Sequence, residues 1–347
     1  MAERLAAHCD FTFIQPFGMR DFKVSDLGRV LGRLRSASRA VKANARLHVR
    51  NPFFIPLTND LTRRINRRLV GAQLRPLFDT ETIVWVAAPS PFVADLLADL
   101  DYGALVYEMM DDYSRLYPTS GTVSQVESWL ASKADLIIVT SEALREKARA
   151  LNAAKDVELV GNGVDFAFFN EAAYERPEKL KGMKSIAGYI GTIGWWMDFE
   201  MIDAVAEACS GVDFVFAGPV RTGNLPDRRN IHFLGSVPYQ QVPAFCSAFD
   251  VCLIPFVPGP FADAVNPVKL YEYFALGKPV VAPRMRELQR YSELVYLAED
   301  AIDFGHKVSE ALGETSSNLA QRRREVARMN DWSVKVEQLL GMLSEVA

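Results

Sequence analysis

Asn266-Pro267-Val268-Lys269-Leu270-Tyr271-Glu272-Tyr273-Phe274-Ala275-Leu276-Gly277-Lys278-Pro279-Val280-Val281-Ala282 joins a helix to a strand, and its composition says how both are buried. Asn is a favoured N-cap and Pro a favoured first helical residue, so the spacing predicts a helix over 267–276. Gly277 ends it, and the apolar run 279–282 follows at once as a strand, which wedges the helix among sheet layers. The opening turn of such a helix presents unpaired N–H groups, a natural seat for phosphate oxygens. Lys269 adds a positive charge there, and Glu272, three residues on, shares its face. A carboxylate at that place can accept hydrogen bonds from two vicinal hydroxyls, as a ribose offers. The same spacing also describes a surface helix with an ordinary Lys–Glu pair of a few tenths of a kcal/mol.

The pattern repeats outward from this segment. Strands are expected at 185–190, 213–217, 230–234, 251–256, 279–282 and 294–297, with helices at 199–208, 239–248 and 267–276. In the first half, strands are expected at 11–15, 82–88, 104–107 and 136–140, and helices at 91–100, 121–133 and 142–151, the last capped by Ser141. Unbroken apolar runs suit strands covered on both faces. Strand–helix alternation in both halves predicts an α/β protein of two doubly wound, Rossmann-like domains facing a cleft. Open sheets of this kind bind ligands at the carboxyl ends of their strands. The expected division is 1–170, 171–327 and a closing segment 328–347 with a helix at 333–346; the polar stretch 170–184 marks the boundary.

Bulk properties narrow the classes. The 347 residues are 49% hydrophobic and 24% charged, a globular composition. No apolar run approaches the ~18 residues of a membrane span, and the start carries no secretory signal pattern, so a cytoplasmic location is expected. Cys9, Cys209, Cys246 and Cys252 have no metal-type spacing with His8, His48, His232 or His306, and read as reduced packing residues. No metal or cofactor is expected. The net charge of −4 conceals an asymmetry, since residues 1–75 hold fifteen Lys/Arg against five Asp/Glu. Arg63, Arg64, Arg67 and Arg68 form the densest part of this cationic stretch. Such potential attracts phospholipid headgroups or a lipid-linked diphosphate at the cytoplasmic face of a membrane, or serves only as a solvated helix face. Nucleic acid is not expected, because no binding motif accompanies the charge.

The Asn266 segment resembles the nucleotide-sugar motif of GT-B glycosyltransferases, particularly family 4 (group 1) and the polysaccharide and teichuronic-acid-type assembly enzymes near it. Other stretches resemble that family in order: Ala134-Asp135-Leu136-Ile137-Ile138-Val139-Thr140-Ser141-Glu142, Gly161-Asn162-Gly163-Val164-Asp165, Gly188-Tyr189-Ile190-Gly191-Thr192-Ile193-Gly194, and Phe233-Leu234-Gly235-Ser236-Val237-Pro238. The resemblance covers roughly residues 80–345 and implies that the 333–346 helix crosses back to pack on the first domain. It implies a nucleoside diphosphate sugar donor, UDP favoured, and a saccharide or lipid-linked acceptor. It places Asn266, Val268 and Lys269 at the diphosphate, Glu272 at the ribose, and Val237 at the base through its main chain. It also sets the Gly191–Gly194 loop beside phosphates or sugar, with Arg221 as a second cation. Two positions depart from the pattern. Ala264 stands where the family commonly has glutamate, and Trp195-Trp196-Met197-Asp198 replaces the usual Arg and Lys. The donor sugar and the stereochemical outcome are therefore open.

For the chemistry, Tyr107-Glu108-Met109-Met110-Asp111-Asp112-Tyr113 places acids just after an expected strand. A carboxylate there suits general-base or cation-stabilising work, and Asp111 and Asp112 are the candidates, not separated by sequence. A cap-and-turn pair is the structural alternative. Phe17 and Gly18 would border the acceptor, and Asn162 and Asp165 read mainly as turn residues. A dinucleotide dehydrogenase is disfavoured, since Gly188-x-x-Gly191-x-x-Gly194 has the wrong first interval. A GT-B sugar-nucleotide epimerase and a non-catalytic GT-B scaffold remain as alternatives.

Overall fold

A computed structural model describes residues 1–14, 41–42, 46–55, 60–90, 93–116, 121–171 and 173–347. The chain divides into two compact units, Met1–Gly161 with Val336–Ala347, and Asn162–Lys335. The division falls ahead of the polar 170–184 stretch and again inside the last helix, Trp332–Val346.

In the first unit, β1 (Phe11–Ile14), β2 (Val41–Lys42) and β3 (Leu47–Arg50) form a sheet of order β1-β3-β2, with β1 and β3 parallel and β2 antiparallel. β4 (Ile83–Val86), β5 (Ala104–Met109), β6 (Leu136–Val139) and β7 (Val157–Leu159) form a second, all-parallel sheet in that order. Every residue of β5 and β6 is buried, which is why both read as unbroken apolar runs. The helices Gly121–Lys133 and Glu142–Leu151 fall where expected, and the Ser141 hydroxyl accepts from the Leu144 amide at 3.3 Å. Leu339, from the last helix, completes a core cluster with Val106, Leu136, Ile138 and Val160.

The second unit is a single six-stranded parallel sheet. Its strands are β8 (Ile186–Ile190), β9 (Asp213–Ala217), β10 (Ile231–Gly235), β11 (Val251–Leu253), β12 (Val280–Pro283) and β13 (Val295–Ala298). The order is β10-β9-β8-β11-β12-β13, so the winding reverses between β8 and β11. That reversal opens a crevice at the carboxyl ends of β8 and β11, the general ligand position of doubly wound sheets. The glycine loop follows β8, and the segment leading to the Lys269 helix follows β11.

The three glycines of Gly188-x-x-Gly191-x-x-Gly194 have different causes. A Cβ on Gly188 would lie 2.3 Å from the Phe249 ring, and one on Gly194 would lie 2.5 Å from the Trp196 ring. These two are packing glycines. Gly191 adopts φ +150°, and its α-carbon faces the Tyr189 hydroxyl and the Lys269 side chain.

Candidate functional site

The helix of the opening segment runs Val268–Ala275, with Pro267 in the cap position at φ −76° and ψ 116°. It begins one residue later than the Asn–Pro spacing predicts, and Asn266 is not its cap. The reason is tertiary. The buried Asn266 amide donates to the Tyr271 hydroxyl (3.3 Å) and to Glu287 (3.1 Å), while its oxygen accepts from the Asn162 amide at 3.0 Å. Asn162 returns a second bond from its side chain to the Asn266 carbonyl at 2.6 Å. With both side-chain donors engaged, Asn266 anchors the turn before the helix. Asn162, read from sequence as a turn residue, proves to be half of that anchor. Asp165 does cap the short helix Phe166–Phe169, accepting from Phe168 N at 3.3 Å.

The anchored turn leaves the Val268 and Lys269 amides free of intramolecular partners among the described residues, because Leu270 N is the first to bond back, to Pro267 O at 3.0 Å. The Lys269 ammonium sits 3.0 Å from the Glu272 carboxylate, which is only 4% exposed. Across from them, Gly191 brings the loop after β8 so close that a Cβ there would lie 3.0 Å from Lys269 Cε. The loop is held by a second strand end. Gly191 N donates to Ala217 O (2.9 Å), Ile193 N to Pro219 O (3.0 Å), and Arg221 N to Ile193 O (2.8 Å). This places Arg221 beside the glycine loop with its side chain exposed. Gly218, at φ +153°, passes so near that a Cβ would fall 1.8 Å from Gly191 O. Gly218→Ala should therefore destabilise the protein by about 2–5 kcal/mol and displace the loop, read as a lower denaturation midpoint; a midpoint equal to the parent's would show the loop to be adaptable.

Val237 is half-buried in the loop after β10. Tyr239, two residues further, escaped the sequence reading, although an aromatic directly after Val237-Pro238 was the available clue. Its ring is 55% exposed and stacks on Phe168 at 5.2 Å. Burial first, then the charges of Glu272 and Asp165, push its hydroxyl up to about 12. Tyr239 is thus close enough to feel the buried glutamate.

In the first unit the two candidate acids separate. Asp112 is buried and fully occupied, accepting from Ser114 (2.6 Å), Arg115 (2.8 Å) and Lys147 (2.7 Å). Burial raises its carboxyl, but the Lys147 and Ser114 hydrogen bonds outweigh that and hold it below the usual range. Lys147 also bonds both oxygens of buried Glu127 at 3.0 Å. Asp111 stands at the carboxyl end of β5 with no side-chain partner among the described residues. Burial, then the neighbouring Asp112 charge, push its carboxyl up to about 6.

The geometry agrees with what the chain is similar to. A sequence model of the family described as glycosyl transferases group 1 matches residues 186–314. TuaH of Bacillus subtilis strain 168, assigned to teichuronic acid biosynthesis as a glycosyltransferase, is 30% identical over 234 residues, 63% of this chain and 59% of TuaH. Sucrose-phosphate synthase of Thermosynechococcus elongatus superposes with a TM-score of 0.71 at 15% identity, over 96% of this chain and 98% of that one. HepE of Anabaena, solved with UDP and glucose, gives 0.69 at 17% identity, over 97% and 100%. Residues 186–314 carry the group 1 glycosyl transferase match, on a chain of the GT-B fold. That matched span holds eight of the ten residues singled out for donor and chemistry, all but Asp111 and Asp112.

Ala264 is buried at the end of the short helix Pro260–Ala264, while the adjacent Asp263 accepts from Arg286 N at 3.0 Å. Among the described residues no cluster of His, Cys, Asp or Glu could hold a metal ion, and no helix is long and apolar enough to cross a membrane. Phe17 and Gly18 lie outside the described residues. The four arginines of the Asp60–Leu74 helix divide into two kinds. Arg63 bonds Asp95 at 2.7 Å and Arg67 forks onto Asp99, whereas Arg64 and Arg68 are exposed. Two of these four charges are thus offset by carboxylates.

Proposed function

We propose that this protein transfers a sugar from a nucleoside diphosphate sugar, UDP preferred, to a saccharide or lipid-linked acceptor during synthesis of a cell-surface polysaccharide. The observation that carries the reading is the pair of free amides at Val268 and Lys269, set against Gly191 with Glu272 one turn deeper. In this reading the amides and the Lys269 ammonium take up negative charge on the departing diphosphate, with Arg221 as a second cation. Glu272 accepts from the ribose hydroxyls, and the main chain at Val237 meets the base. The UDP and glucose of HepE and the teichuronic acid assignment of TuaH support the donor and the pathway class.

Asp111 supplies the ionised carboxylate. It either takes the acceptor hydroxyl's proton or faces the positive charge developing at the anomeric carbon, and both roles need the anion. The test is product analysis with UDP- and GDP-hexoses, with and without a saccharide acceptor. Transfer of the hexose to the acceptor with release of nucleoside diphosphate is expected. Interconversion of the donor without acceptor would make the protein an epimerase, and binding with no turnover would make it a scaffold.

Contact with an anionic membrane rests on Arg64 and Arg68. Binding to phosphatidylglycerol vesicles should weaken as salt rises and drop further in Arg64→Gln/Arg68→Gln, measured by cosedimentation. Indifference to lipid charge would remove this part of the reading.

A further inference from the structure

The loop after β8 continues beyond Gly194 into Trp195 and Trp196, and these meet Phe261 of the helix Pro260–Ala264. Ring centroids lie 4.9 Å apart for Trp195 and Phe261, 5.9 Å for the two tryptophans, and 6.4 Å for Trp196 and Phe261. The inner ring is half-buried and held by its neighbours. Trp196 packs over the α-carbon of Gly194, and its carbonyl accepts from Val257 N at 2.8 Å. The outer ring is not covered, since Trp195 remains 53% exposed with Val257 beside the cluster at 45%. Trp195 thus presents an open aromatic face on a second ring that is itself held in place, beside an exposed valine.

We infer that Trp195, backed by Trp196 and Phe261, is a stacking platform for the apolar C–H face of an uncharged pyranose. The inference rests on the donor reading above, whose glycine loop is the same loop. Its position follows from the winding: β8 and β11 flank the reversal, and the rings come from the segments after each. Its selectivity follows from charge. Residues 188–198 and 255–264, which supply the rings, contain no Lys, Arg or His. Asp198 is engaged as the cap of Phe199–Ala208, accepting from Met201 N at 2.9 Å, and Asp263 accepts from Arg286 N. The segments that carry the rings supply no cation of their own to a phosphorylated sugar, whereas a neutral ring needs none to stack against them.

Saturation-transfer NMR on the full chain tests this, with the aromatic protons irradiated. The probes are methyl α-D-glucopyranoside, methyl α-D-mannopyranoside, methyl α-D-galactopyranoside and glucose 6-phosphate, each with and without UDP. At least one neutral glycoside should receive saturation on its ring C–H protons and exceed the sugar phosphate. Trp195→Phe should retain the transfer, and Trp195→Ala should reduce it about tenfold while leaving the calorimetric affinity for UDP unchanged. Undiminished transfer in Trp195→Ala, or no transfer to any neutral glycoside, would overturn the platform. Failure of the parent protein to bind UDP would strike the donor reading instead, and the UDP-free arm would still decide the platform.

Discussion

Glu272→Ala should weaken UDP binding about 30- to 1000-fold by calorimetry, because two hydrogen bonds to a buried carboxylate, together about 2–4 kcal/mol, disappear with it. The carboxylate is almost wholly enclosed and its one partner among the described residues is Lys269, so it has lone pairs left for a ribose. Removing it also frees Lys269 for the diphosphate, which offsets part of the loss, so affinity alone is an incomplete readout. Discrimination between UDP and 2′-deoxy-UDP isolates the carboxylate. The parent should prefer UDP at least tenfold, Glu272→Ala should bind the two alike, and Glu272→Gln, which keeps an acceptor oxygen, should fall between. An unchanged preference in Glu272→Ala would dismiss the ribose assignment whatever happened to absolute affinity. A fall in stability of about 1–3 kcal/mol should accompany the change, since Lys269 loses its partner at a largely buried site.

Asp111→Asn should lower turnover about 10²- to 10⁴-fold while making the protein more stable at neutral pH. The sign follows from the raised carboxyl. A carboxyl near 6 in the folded state and in the usual range near 4 when unfolded makes the native state hold the extra proton between those values. Its contribution to stability is therefore intact below about pH 4 and lost as pH rises through about 6. Asparagine removes that penalty, so the denaturation midpoint at pH 7.5 should rise, by about 1–3 kcal/mol in free energy. In the parent, kcat/KM should fall as pH drops through about 6. Asp112→Asn gives the contrast. It takes from Lys147 one of its two carboxylate partners and lowers stability, and by removing the neighbouring charge it should shift the acidic limb of the profile to lower pH. Full turnover in Asp111→Asn, or an acidic limb that ignores both substitutions, would refute the assignment.

Much of the fold was legible because its cues are short-ranged. The runs Leu136-Ile137-Ile138-Val139 and Ile186-Ala187-Gly188-Tyr189-Ile190 are buried on both faces, and such strands declare themselves by composition. Helices with a local cap were read to the residue, as at Ser141 and at Phe199–Ala208 with its Asp198 cap. Elements lacking those cues were not read. Leu47-His48-Val49-Arg50 alternates and is half-exposed inside a basic stretch, Val157-Glu158-Leu159 is three residues long, and the Asp60–Leu74 helix showed only its charge. The helices Ala301–Leu312 and Ser317–Met329 carry their apolar stripes amid many charged residues and also escaped.

The proposed nucleotide cradle is written locally in the chain. A free N–H pair, a lysine and a glutamate one turn later lie within five residues, and the geometry of a single helical turn relates them. Which acid of Asp111-Asp112 is free could be settled only by folding, because the answer is Lys147, 35 residues away, arriving on another helix to neutralise one of them. The same holds for Asn266, whose expected cap role yielded to Asn162, 104 residues distant, and for Trp195, whose neighbour Phe261 comes from across the sheet reversal. Backbone hydrogen bonding and apolar periodicity act over a few residues and are written locally. Desolvation and ion pairing depend on what the fold brings alongside, and those decided the chemistry of each side chain.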